Sequence, residues 1–153
     1  MRRQRGRAFT LIELVTVVII IGLLASMAIP RYANFTGRQR VDAAARRIAV
    51  DLSFAQQRAQ SSSTSQTVQF DVAENSYRLI GVPDQDRPGV EYAVSLSNEP
   101  YRAEIISADF GGDGLVVFDG YGTPDSGGTV IVQWGSIQKT VVLDADTGKA
   151  NVP

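Results

Sequence analysis

The chain has 153 residues, 15 Lys or Arg against 16 Asp or Glu, and neither His nor Cys, for a formal net charge of −1. That inventory excludes a His-dependent triad, a thiol nucleophile, the usual zinc ligands and any disulfide staple. Lys139 and Lys149 are present but sit in no motif of Ser–Lys catalysis, so an enzyme is not expected.

Residues 1–8 carry Arg2, Arg3, Arg5 and Arg7 and no acid. The 21 residues that follow, 9–29, are apolar or small, with Glu13 as the one charged member. As a helix this run is about 31 Å long, enough to span a bilayer core. The arginines before it hold the N-terminus in the cytoplasm and send the rest of the chain across the membrane. A cleaved secretory signal would need a shorter apolar region, and only a weak Ala-x-x-Ala pattern ends at Ala28. Arg2-Arg3 lacks the residues that make a twin-arginine signal. A lone acid in such a run costs roughly 2.5–3.5 kcal/mol on insertion scales, so Glu13 requires a partner.

The basic leader, Phe9, the run Thr10-Leu11-Ile12-Glu13-Leu14, and then Gly22 and Pro30 together resemble a type IV prepilin or pseudopilin. The resemblance implies that a prepilin peptidase removes residues 1–8 by cutting between Ala8 and Phe9, and that the new N-terminal Phe9 is methylated. The apolar helix, residues 9–30, is then kept to pack in the core of a filament. Other pilins, the peptidase and an inner-membrane assembly platform are the implied partners. Ala8 stands where Gly is usual, and a cut at Gly6 would leave Arg7 at the head of the membrane helix. Cleavage before Phe9 exposes an α-amino group, protonated at neutral pH, one helical turn from Glu13. Within one subunit or between neighbours that pair offsets the buried acid, and between neighbours it sets axial register. Snorkelling of Glu13 to the headgroups is the competing reading. Pro30 lacks an N–H, so it and Gly22 are the places where the helix is expected to kink or loosen.

In residues 31–60, Val41, Ala44, Ala45, Ile48, Leu52, Ala55 and Ala59 recur at spacings of three and four. They form the apolar stripe of an amphipathic stem helix that should pack on a sheet. Six arginines against Asp42 and Asp51 make this stem basic, which suits a solvated face near the membrane surface as well as anionic partners. The hydroxyl run at residues 61–65 should end the helix. Alternating or apolar runs at 67–72, 77–82, 90–96, 103–107, 115–118, 129–134 and 137–143 predict strands, with a short last strand at 149–152. Gly135-Ser136 predicts a two-residue hairpin turn, and Asp146-Thr147-Gly148 another turn.

The expected fold is therefore α+β: a long N-terminal helix, half membrane-spanning and half amphipathic, packed on an antiparallel β head at residues 61–153. Phe70-Asp71-Val72, Asn75-Ser76-Tyr77, residues 117–122 and residues 146–149 resemble the GspH/FimT branch of minor pilins and pseudopilins. The implied job is a non-catalytic minor pseudopilin of a type II secretion-like or type IV pilus-like machine, with no cofactor. Its place is the inner membrane, with a periplasmic head, and then a filament. Alternatives are a FimT-like DNA-uptake pilin and a signal-anchored periplasmic binding domain that never assembles.

Asp109, Asp113 and Asp119 lie in Asp- and Gly-rich loops that are calcium candidates, although the EF-hand spacing is absent and ordinary turn chemistry also explains them. Charge bears on the DNA alternative. Without the leader the chain has 11 basic residues against 16 acids, and after Gln60 it has five against thirteen. Such a head repels phosphates, and Gly148 is followed by one cation, Lys149, so nucleic acid is not an expected partner.

Overall fold

The computed structural model describes the backbone of residues 10–153 and the side chains of residues 10–26 and 35–153. In order these form α1 (Leu11–Ser62), β1 (Gln66–Asp71), β2 (Ser76–Pro83), β3 (Glu91–Ser95), β4 (Glu104–Asp109), β5 (Leu115–Phe118), β6 (Gly128–Trp134), β7 (Ile137–Leu143) and β8 (Ala150–Asn151). The chain divides into two compact units, Met1–Thr36 and Gly37–Pro153, and α1 contributes to both.

In the first unit the described side chains of the apolar run, from Leu11 to Leu24, are exposed on every side of α1. Among the described residues no helix is long and apolar enough to cross a membrane, and the described side chains of this run end at Ser26.

In the second unit every member of the predicted stripe is buried, from Val41 to Ala59. Four of the seven are alanines, which let the strands approach the helix closely while Ile48 and Leu52 fill the space between. The helix ends where the hydroxyl run begins: Ser61 and Ser62 donate their side-chain O–H back to the Arg58 carbonyl, and Ser63 takes a positive φ of 52°. Those bonds compete with continuation of the backbone ladder.

The eight strands of the described residues fall on the expected runs, with no end shifted by more than two residues, and all pair antiparallel. They make two four-stranded sheets, ordered β3-β2-β1-β5 and β4-β6-β7-β8. The β6–β7 hairpin closes at Trp134↔Ile137 through Gly135-Ser136, with Gly135 at φ 59°. Strand β4 ends two residues beyond its apolar run, at Asp109, and its register with β6 shifts between Ile105 and Ser107. One core joins helix and sheets, built on Ile48, Leu52, Leu79, Val116, Phe118 and Val132. Asn75 ties the sheets together, its Oδ1 accepting the Ile105 N–H at 2.7 Å from the β1–β2 turn.

Candidate functional site

At the head of α1, Thr10 is the N-cap: its Oγ1 accepts the Glu13 N–H at 3.3 Å and its carbonyl accepts the Leu14 N–H at 3.2 Å. The Thr-x-x-Glu spacing of a capping box was visible in the sequence, yet reading Glu13 only as a membrane acid missed it. The Glu13 carboxylate is exposed and, among the described residues, has no ion pair. Ala8 and Phe9 lie outside the described residues, as does the Pro30 side chain; Gly22 lies in α1 with open space around it. Thr16 and Ser26 donate their hydroxyls to the Ile12 and Leu23 carbonyls, each at 2.8 Å. Those hydroxyls are satisfied without water, so they add little cost to an apolar surrounding.

The head contains a buried polar cluster that the sequence did not announce. Asp51, on the core side of α1 between Ile48 and Leu52, is buried and accepts the Tyr77 hydroxyl at 2.6 Å and the Tyr92 hydroxyl at 3.1 Å. Arg47, one turn earlier, donates its Nε–H to the same carboxylate at 3.0 Å and an Nη2–H to the Tyr92 hydroxyl. Helix α1, β2 and β3 are thereby joined through one carboxylate. Burial, and then the charge of Asp51, push the Tyr77 hydroxyl well above its ordinary pKa, and the same two causes raise Tyr92. Burial alone would lower Arg47, but Asp51 and Tyr92 outweigh it and hold the guanidinium charged. The one available signal was spacing: Asp51 falls three residues after Ile48, on the edge of the apolar stripe.

The calcium-candidate carboxylates serve their own turns. Asp109 Oδ1 accepts the Gly112 N–H, Asp113 Oδ1 accepts the Leu115 N–H, and Asp119 Oδ1 accepts the N–H groups of Tyr121 and Thr123, all within 2.8–3.0 Å. Asp144 does the same for Asp146 and Thr147, and the Thr147 bonds hold its carboxyl below the usual range. Among the described residues no group of three or more His, Cys, Asp or Glu is placed to hold a metal ion. Two helix glutamines anchor these loops: Gln56 Nε2 donates to the Gly122 and Thr147 carbonyls at 2.9 and 2.8 Å, and Gln60 Nε2 to the Tyr121 carbonyl at 3.1 Å. Gly122 and Gly148 both have positive φ, and a Cβ on either would strike these amides.

Three of the five stem arginines with described side chains are engaged. Arg40 pairs with Glu99 at 3.5 Å, Arg46 with Asp42 at 2.8 Å and Arg47 with Asp51. Among the described residues, Arg38, Arg58, Arg78 and Lys149 have no ion pair. Arg38 and Arg58 lie near opposite ends of the head's helix, so they do not form the clustered cationic surface that phosphate binding uses.

A family model described as type II transport protein GspH matches residues 44–147. A fimbrial protein of Pseudomonas aeruginosa is 31% identical over 132 residues, covering 75% of this chain and 84% of that protein. Type IV major fimbrial protein FimA of Dichelobacter nodosus is 58% identical over 38 residues, 25% of this chain and 23% of its own. Among solved structures, the type IV minor pilin FimU of Pseudomonas aeruginosa strain PAO1 has a similar fold. Its TM-score is 0.54 at 16% identity, over 78% of this chain and 92% of that one.

Proposed function

This chain belongs to the GspH family of type II transport proteins, within the type IV pilin and pseudopilin superfamily, and from that premise we propose that it is a minor pseudopilin. It is a non-catalytic subunit of a type II secretion-like or type IV pilus-like filament. The observation that carries this reading is the apolar surface of α1 from Leu11 to Leu24, which no part of its own compact unit covers among the described residues. An all-round apolar helix is a membrane or bundle-core element rather than a solvated one. In this reading residues 9–30 anchor the precursor in the inner membrane with the head periplasmic. A prepilin peptidase cuts between Ala8 and Phe9, Phe9 is methylated, and an assembly platform moves the helix into the filament. Glu13 meets a neighbour's N-terminal amine there and sets register, while Gly22 and Pro30 let the helix bend or loosen.

Mass spectrometry of the protein extracted from membranes tests the proposal. A chain beginning at methylated Phe9 is expected; an intact Met1, or a chain beginning after Ala28, overturns it.

A further inference from the structure

We infer that the ridge formed by Val50 and Phe54 on α1 is a docking surface for an apolar, basic segment of a different filament subunit. The inference rests on the filament reading above and adds where, on the head, a neighbour is held.

Val50 and Phe54 are one turn apart, so their side chains adjoin, and they face away from the buried stripe with 61% and 43% of their surface exposed. A solvated helix face would place polar residues there. Each of the two lines both of two grooves that flank the ridge. The first, about 400 Å³, lies between the ridge and β8, with Ala49, Ser53 and Ala150 in its walls. The second, about 340 Å³, lies between the ridge and the end of β2, with Val82 and Pro83 in its walls and Asp84 and Asp86 at its lip. Other exposed apolar residues of the head, such as Val72, Ile80 and Ile106, lie on separate strands or turns and line none of these grooves.

Charge selects the occupant. Asp84 is neutralised by Arg87 at 2.7 Å, and Arg47 is committed to Asp51 and Tyr92. Asp86 uses its backbone N–H to donate to Asp84, while its carboxylate has no ion pair or hydrogen bond among the described residues. The second groove therefore presents apolar walls and one uncompensated negative charge. Its complement is a segment that sets apolar side chains on either side of Phe54 and a Lys or Arg against Asp86. A second head of this chain, whose unit from Gly37 to Pro153 carries 10 basic residues against 15 acids, is the poorer match to that lip, and anionic lipid headgroups are repelled by it.

Photocrosslinking in the producing cells tests this with the full-length chain, carrying p-benzoylphenylalanine in place of Phe54 or, separately, in place of Val18. Position 54 should crosslink to another pilin-like subunit, at a peptide containing Lys or Arg identified by mass spectrometry. Asp86→Lys should lower that adduct about fivefold or more and leave the Val18 adduct intact. Glu74→Lys, the same charge change on the β1–β2 turn, should leave both intact. A position-54 adduct with a second copy of this chain or with lipid, one indifferent to Asp86→Lys, or none while Val18 still crosslinks to a pilin, overturns the docking surface alone. Absence of pilin adducts at both positions overturns the filament reading with it.

Discussion

Helix α1 holds two apolar stretches of opposite design. From Val41 to Ala59 the seven apolar residues spaced by three and four keep to one face and are buried against the sheets of their own unit, while Val50 and Phe54 stand exposed outside that stripe. From Leu11 to Leu24 they occupy all faces, and Leu11 keeps 80% of its surface exposed. A one-faced pattern can be satisfied by a sheet from the same chain. An all-round pattern requires an apolar environment on every side, which a small head cannot supply. Periodicity, more than total hydrophobicity, decides whether a stretch of this helix is completed from within or from outside.

The largest expected effect comes from the one charge in the all-round stretch. Glu13→Leu removes the cost of an inserted acid, so membrane insertion should hold or improve, while incorporation into filaments should fall about tenfold or more. Carbonate extraction and co-purification with filament subunits measure the two separately. Equal incorporation of variant and parent would show that the all-round stretch needs no paired charge.

The buried stripe should answer to a different measurement. Leu52→Ala should lower head stability by roughly 2–5 kcal/mol, read from chemical unfolding of the detergent-solubilised chain by fluorescence of the single tryptophan, Trp134. Ile20→Ala in the all-round stretch should leave that midpoint unchanged. A comparable shift from both variants would erase the contrast between the two stretches.

A smaller loss should follow Tyr77→Phe, which leaves Asp51 one donor short and costs roughly 1–3 kcal/mol. The parent also carries a pH signature. Tyr77 and Tyr92 have raised values in the folded state, so their contribution is complete below the unfolded tyrosine pKa of about 10 and is lost as pH rises above it. The double variant Tyr77→Phe, Tyr92→Phe should flatten stability against pH above about 10. An alkaline loss undiminished in the double variant would detach the network from the buried stripe it braces.

The smallest effect expected is none: the detergent-solubilised chain should show no submicromolar DNA binding at about 150 mM salt. Binding that survives this salt and is lost on replacing Arg38, Arg58 or Lys149 would falsify the ranking of a secretion subunit over a DNA-uptake pilin.

Most of the scaffold was legible in the sequence because it depends on local pattern. The stripe at spacings of three and four, the hydroxyl run that ends α1 and the Gly135-Ser136 turn are each encoded within a few residues. The interactions that were not legible join residues distant in the chain. Nothing near Asp51 indicates that Tyr77 and Tyr92 will supply its donors, and nothing near Gly37 indicates Trp134. A Cβ on Gly37 would lie 2.3 Å from the indole, so this glycine admits the ring against the backbone. Tyr77 opens the strand expected at 77–82, and only the assembled helix–sheet interface gives its hydroxyl a job. The Val50–Phe54 ridge was hidden for a related reason, since its side chains matter through the grooves that folding creates beside them.

The Gln56 amide reaches one loop that follows β5 in the first sheet and another that follows β7 in the second. Mechanically, it is a tie between the helix and both sheets. A pull along the axis of α1 within the head loads both sheets through the same side chain, with Gln60 sharing the load on one side and the Asp51 cluster on another strand pair. Bonds that share a load resist better than bonds opened one after another. Under tension, Gln56→Ala should therefore lower the rupture force of the head far more than its modest exposure suggests, while the unstressed fold persists on its apolar stripe.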